Sequence, residues 1–157
     1  MHGNYTATTS IQKSDLLVAI GVRFDDRVTA NPSFFAQNAK VIHADIDPAE
    51  IGKVREAQVP IVGDAKSVIL GLIEALQDEE LDTKNWINEL NSMKTEHPLS
   101  YNQDENGPLK VPFVLEELQD LTEEGAIVVS GVGQHQMWIS QHWNFTEPNT
   151  WLNSGGL

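Results

Sequence analysis

A chain of 157 residues can form one domain or parts of two, and with 40% hydrophobic residues it can build a packed core, which excludes wholesale disorder. A formal charge of −13 excludes a nucleic-acid backbone as partner, because that contact demands clustered Lys and Arg. The absence of cysteine excludes disulfides and thiolate metal sites.

The acidic balance does not exclude a phosphorylated cofactor, which backbone N–H groups, helix N-termini and a few local arginines can hold. The longest apolar runs, such as Leu16–Ile20, are far too short to span a bilayer, so no membrane partner is expected. The opening MHGNYTATTS has no basic start followed by an apolar stretch, so it is no secretory signal and a cytoplasmic location is expected.

The first strand signal is LLVAI at 16–20, running into Gly21. The segment GVRFDDRV at 21–28 follows, with Arg23 and Arg27 flanking two acids. A glycine directly after a buried strand lets a ligand approach the backbone at the strand's carboxyl end, and paired guanidinium groups suit phosphate or carboxylate. A surface ion-pair network explains the same residues. The next strand, KVIHADI at 40–46, ends in Asp47 and Pro48; Asp45 at its end is placed to accept from a ribose hydroxyl, or is an ordinary strand-end acid. VPIV at 59–62 repeats the pattern with Gly63, Asp64 and Ala65, where Asp64 serves equally as a helix cap. Val68, Ile69, Leu72, Ile73 and Leu76 then mark one face of a helix. Apolar strands separated by longer polar segments predict an α/β fold with a parallel sheet covered on both faces, half of a nucleotide-binding (Rossmann-like) domain.

From residue 78 the character changes. Residues 78–82 are acidic and polar, Trp86, Ile87, Leu90 and Met93 have helical spacing, and 97–110 is rich in turn residues, so 81–110 is expected to be an acidic, polar linker region. Pro112 suits the first turn of a helix bearing Val114, Leu115, Leu118 and Leu121. A strand at 126–130 leads into Gly131, Val132, Gly133, Gln134, His135 and Gln136. This turn begins like a dinucleotide fingerprint, but Gln136 stands where the third glycine belongs. Glycines between a strand and a helix still suit a diphosphate. His135 is a donor candidate, or a helix-start residue beside Trp138. No metal-ligand spacing and no hydrolytic triad is found, so neither metal ligands nor catalytic residues are assigned.

MHGNY, SDLLVAIGVRFDDRVT, VIHADIDPAEIGK, VPIVGDA, GVGQHQMW and NSGGL together resemble, in order and approximate spacing, the acetolactate synthase (acetohydroxyacid synthase) large-subunit family, which uses thiamine diphosphate. The resemblance implies that residues 1–80 are part of a central FAD-binding domain. It implies that 111–157 begin a second α/β domain, which binds thiamine diphosphate. Met1, His2, Gly21, Arg23, Asp25, Arg27 and Val28 match the family's flavin-contacting positions, as do Asp45, Ile46, Gly63, Asp64 and Ala65. Gln136, Met137, Gly155 and Gly156 match positions near the flavin. Val132, Gly133, Gln134 and His135 match the segment that holds the diphosphate of thiamine diphosphate. Ala30 departs from the pattern, standing where glycine is usual, and Glu50 replaces a neutral flavin contact of some relatives.

The implied reaction is decarboxylation of pyruvate and its joining to a second 2-oxoacid, giving acetolactate or acetohydroxybutyrate for valine, leucine and isoleucine synthesis. The implied cofactors are thiamine diphosphate, FAD and Mg2+; the substrates are pyruvate and 2-oxobutyrate. The implied assembly is a homodimer or tetramer with a small regulatory subunit. The activating glutamate belongs to a preceding domain of the family, and the magnesium motif would lie beyond Leu157. The chain is therefore expected to be an internal fragment, inactive alone, with Val114, Leu118 and Val128 exposed. A pyruvate oxidase, a glyoxylate carboligase and a non-catalytic nucleotide-binding module remain as alternatives.

Overall fold

The computed structural model describes residues 3–155, and the chain divides into two compact units, Met1–His97 and Pro98–Leu157. In the first unit, Asn4 opens helix α1 (Tyr5–Lys13) by accepting the Ala7 N–H at 2.7 Å, which satisfies one of the helix's unpaired donors. Strand β1 (Leu16–Ile20), helix α2 (Asp26–Thr29) and a 3-10 turn (Pro32–Phe34) follow. Strands β2 (Lys40–Asp45) and β3 (Val59–Val62) then precede helices α3 (Ala65–Ala75) and α4 (Lys84–Glu96).

The strands form one parallel sheet in the order β1-β2-β3, with Val18 level with Ile42 and Ile42 level with Val59. Successive side chains alternate between faces. Leu17, Ala19, Val41 and His43 share one face, and there the core gathers: Ala19, Phe24, Phe35, Ala36, Ala39 and Val41, with Ile11, Leu17 and Val22 against it. Phe24 and Phe35 meet edge to face, ring centres 6.0 Å apart. On the other face Leu16, Val18 and Val59 remain about half exposed, at 48%, 50% and 47%. Cover on both faces was expected; the structure covers the core face, while the other face is covered only in part, with Ala44 buried and Ile42 half-buried. Of the apolar stripe of α3, only Val68 and Leu72 are half-buried, while Ile69, Ile73 and Leu76 face outward.

The helical spacing at Trp86, Ile87, Leu90 and Met93 becomes α4, which packs on α1 through buried Met93 and a Lys13 Nζ–Glu89 Oε1 contact of 2.7 Å. The stretch 81–110 is therefore not all linker: its first half is a helix of the first unit, and the units divide after His97.

In the second unit, helix α5 (Val111–Leu121) carries Pro112 in its first turn. Strand β4 (Val128–Ser130), helix α6 (Gln134–His142) and strand β5 (Trp151–Asn153) complete it, and β4 and β5 pair in parallel. Phe145 stacks between Trp143 and Trp151, and the Trp151 indole N–H donates to Ser130 Oγ at 2.9 Å. Leu118 is exposed as expected, whereas Val114 and Val128 are half-buried. Glu116 joins the elements: Tyr101 donates its hydroxyl to Oε2, and Oε1 lies 3.0 Å from His142 Nδ1. The bond to Glu116, with burial and the neighbouring acids, pushes the Tyr101 phenol up to about 12.

Ala30 ends α2 at φ 52° and ψ −104°, a conformation that a Cβ disfavours, and its side chain is exposed. Ala30→Gly should relieve that strain and raise unfolding stability by about 1 kcal/mol, read from urea midpoints; an unchanged or lower midpoint would contradict it. The bonds from Tyr101 and His142 hold the Glu116 carboxyl below its ordinary 4.5, against an opposing push from burial. A carboxyl lowered in the folded state contributes stability that is complete above its unfolded value and lost as pH falls through the folded one. Wild type should therefore lose stability below about pH 4.5, and Glu116→Gln should flatten that part of a stability–pH curve measured by chemical denaturation.

Candidate functional site

The carboxyl ends of β1, β2 and β3 frame a cleft of about 170 Å3, lined by Ile20, Gly21, Ala44, Asp45, Ile46, Gly63, Asp64 and Ala65. Open parallel sheets bind ligands at this end. Backbone pairing continues one residue beyond each strand: Gly21 N–H donates to Ala44 O at 2.9 Å, and Gly63 N–H donates to Asp45 O at 3.0 Å. Gly21 turns the chain away at φ 64°, a backbone angle that only glycine adopts without strain. At Gly63 an added Cβ would stand 3.3 Å from Val68 Cγ2, so the missing side chain lets α3 start close against the sheet.

Each acid at the rim is partly engaged. Asp45 Oδ1 accepts the Asp47 N–H at 2.9 Å, and Asp47 Oδ1 accepts the Ala49 N–H at 2.9 Å, which closes two successive Asx turns. Among the described residues Asp45 Oδ2 has no partner, so it can accept from a ligand hydroxyl. Asp64 Oδ1 caps α3, accepting from Lys66 N at 3.0 Å and Ser67 N at 3.2 Å. The cap reading of Asp64 is thus the observed one, and the first donors of α3 are already served.

The loop after Gly21 is organised by Asp25. Its Oδ1 accepts the Val28 N–H at the start of α2, and its Oδ2 accepts from Arg23 Nη2 and Arg27 Nη2, both at 3.1 Å. Burial pushes the Asp25 carboxyl up, but the bonds from Arg23, Val28 and Arg27 outweigh it and hold it below its ordinary 3.8. Arg23 and Arg27 are exposed, so their remaining N–H groups face solvent from a fixed base.

A second constellation lies in the other unit. β4 ends at Ser130, and residues 131–133 turn into α6, whose cap Gly133 sits at φ 149° with no side-chain hydrogen bond to the helix start. The His135 ring folds back over this turn: a Cβ on Gly133 would stand 3.1 Å from its Nδ1, and one on Gly131 3.5 Å from its Nε2. Here the glycines accommodate an imidazole and leave helix N–H donors without a side-chain acceptor, which suits an anion. Among the described residues no cluster of three or more His, Cys, Asp or Glu could hold a metal ion, and no helix is long and apolar enough to cross a membrane.

Residues 1–72 match the model for the central domain of thiamine pyrophosphate enzymes. Over its whole length the chain is 50% identical to an acetolactate synthase of Mycobacterium leprae. It is 48% identical to the acetolactate synthase large subunit of Corynebacterium glutamicum, again over all of the chain. It is 44% identical, over the same span, to a chloroplastic acetolactate synthase of Arabidopsis thaliana. The chain is similar over its whole length to acetolactate synthases of bacteria and a plant. It spans about a quarter of these relatives, 26%, 26% and 24% of their lengths.

The acetolactate synthase resemblance singled out residues that the first unit partly gathers. Gly21, Asp45, Ile46, Gly63, Asp64 and Ala65 line one cleft, while Arg23, Asp25, Arg27 and Val28 follow Gly21 in the adjoining loop and α2 without lining it. Val132, Gly133, Gln134, His135, Gln136 and Met137 form the turn and first residues of α6, and Gly155 follows β5 at φ 66°. Met1, His2 and Gly156 lie outside the described residues. Sequence reasoning missed Ile20 and Ala44, whose signal was strand parity. It also missed His43, which lies buried on the core face of β2. Asp64→Ala should cost about 1 kcal/mol through the lost cap. Thermal unfolding should show the loss while Asp64→Asn retains most of the stability; equal midpoints for Ala and wild type would show that the cap contributes nothing.

Proposed function

We propose that this chain is the part of an acetolactate synthase catalytic subunit that holds FAD at the carboxyl ends of β1–β3. In the same reading its glycine turn at residues 131–133 holds the diphosphate of thiamine diphosphate. The observation that carries the proposal is the cleft: residues 24 and 42 positions past Gly21 come together with it at one sheet end, namely Asp45 and Gly63. The donors fit a dinucleotide cofactor. Asp45 Oδ2 can accept a ribose hydroxyl, the Gly21 turn lets a ligand approach the backbone, and Arg23 and Arg27 can pair with a diphosphate. The turn before α6 fits a second diphosphate through uncapped helix N–H groups.

The full-length subunit, on this reading, decarboxylates pyruvate and joins it to a second 2-oxoacid, pyruvate or 2-oxobutyrate. It works as a dimer or tetramer and pairs with a small regulatory subunit. Bound thiamine diphosphate supplies the carbanion stabilisation, and the residues of this chain bind and orient cofactors and exclude water. Mg2+ is assigned to a motif outside this chain. The relatives' shared name across bacteria and a plant supports a carboligase over an oxidase or a non-catalytic module.

Removing one of the two exposed guanidinium groups tests the flavin assignment. In the full-length subunit Arg23→Ala should weaken FAD binding about tenfold or more, because hydrogen bonds to charged groups contribute about 1.5–3 kcal/mol. Asp78→Ala, in the exposed acidic stretch after α3, should leave it unchanged. Equal affinities in a flavin fluorescence titration would remove the assignment.

A further inference from the structure

His43 is wholly buried on β2, on the core face of the sheet, and both its ring nitrogens are engaged. Nε2 lies 2.8 Å from the Val22 carbonyl, and Nδ1 lies 3.4 Å from the Gly52 backbone nitrogen. A carbonyl only accepts and a backbone N–H only donates, so the contacts select one tautomer: Nε2 carries the proton and Nδ1 carries the lone pair. The ring also receives the edge of Phe24, at 5.1 Å between centres and 79° between planes.

Val22 sits between Gly21, at the cleft, and Arg23. The peptide is planar and trans, so a carbonyl pinned inward at Val22 fixes the Arg23 N–H on the opposite side, away from the core. Among the described residues that N–H has no acceptor. The segment carrying it is strained: Phe24 holds φ 52°, which a bulky residue adopts only when its surroundings impose it. Its buried ring, wedged between His43 and Phe35, supplies that imposition.

We propose that His43 is a positioning residue that, as the Nε2-protonated tautomer, locks the Val22–Arg23 peptide so that the Arg23 backbone N–H and side chain are presented to the flavin cofactor. This rests on the flavin reading above. His43 touches no ligand in this arrangement; it acts through Val22. Gly52, at φ 74° in the β2–β3 connection, is tied to the same ring, so one side chain ties the loops that follow β1 and β2.

The test compares His43→Phe, which keeps the ring volume without either bond, with His43→Gln, whose side-chain amide can again donate to Val22. Three readouts on the full-length subunit separate the possibilities. Nitrogen-15 resonances of labelled histidine should report the Nε2-protonated tautomer in wild type. Hydrogen–deuterium exchange of the cofactor-free protein should rise in the peptide covering residues 21–26 for His43→Phe and return towards wild type for His43→Gln. FAD affinity should fall about tenfold in His43→Phe and recover in His43→Gln, the size expected for one lost hydrogen-bonded contact and a looser loop. A Nδ1-protonated ring, or His43→Phe with unchanged exchange at 21–26, overturns the proposal. So does equally weak FAD binding by both variants. If wild type itself binds no FAD, the flavin reading fails, and the positioning of Arg23 is judged on the tautomer and the exchange alone. Should His43→Phe not fold, His43→Asn, too short to reach Val22, takes its place with the same expectations.

Discussion

In a parallel ladder each strand must offer its donors and acceptors at matching heights, so strand ends cannot drift independently. The pairing of Ile20 with Ala44, and of Asp45 with Val62, brings the ends of β1, β2 and β3 to one level, and the bonds from Gly21 and Gly63 carry the ladder a step further. Everything at the candidate site depends on this. A register slip of one residue on β2 would turn both His43 and Asp45 to the open face and carry Ile42 and Ala44 onto the core face. The burial of Val41 and His43 is what opposes that slip, because the alternative register would place Lys40 and Ile42 under Phe35. Packing on the core face thus sets the chemistry at the sheet's end.

The segment from the end of β1 through α2 shows how strain is contained. Gly21, Phe24 and Ala30 all hold positive φ within ten residues, and only the first has no Cβ. Two constraints keep the others there. The Phe24 ring is buried against His43 and Phe35, and Asp25 fixes the start of α2 while holding both neighbouring arginines. Removing either would release a segment whose backbone prefers other conformations. Arg23 and Arg27 are exposed and would otherwise sample many rotamers, so their shared anchor on one carboxylate oxygen lowers the entropy cost of engaging a ligand.

Much of this was legible in the sequence. LLVAI, KVIHAD and VPIV announced strands through their apolar, β-branched content, though only KVIHAD is largely buried, and Gly21, Asp45 and Gly63 announced strand ends. Their meeting in one cleft follows from parallel order. What could not be read was which face the helices would cover. The apolar stripe of α3 matches a buried helix, yet Ile69 and Ile73 stay exposed, because an amphipathic pattern records a face suited to burial and not its cover. Likewise 81–110 reads as polar by composition, while α4 within it docks through one strongly buried side chain, Met93. His43 stayed hidden because its importance lies in two backbone partners, Val22 and Gly52, that carry no side-chain signal. Asp64 was an even choice between cap and ligand, and only the Lys66 and Ser67 contacts resolve its structural part.

A chain with 23 acids against 10 Lys and Arg is a poor host for an anionic cofactor if net charge decides binding. It does not decide here, because salt screens exposed charges beyond about 8 Å at physiological ionic strength. What a bound diphosphate would meet is local. At the first unit that environment is Arg23 and Arg27, with Asp25 between them neutralising one of the two charges rather than repelling the ligand from a free position. At the second it is the uncapped start of α6, where backbone dipoles supply positive potential without any formal charge. Backbone donors also resist a trade-off that added lysines would bring: they bind an anion without enlarging the side-chain entropy to be lost. An acidic net charge is therefore compatible with an anion held by local donors of this kind, whether guanidinium groups or helix-start N–H groups.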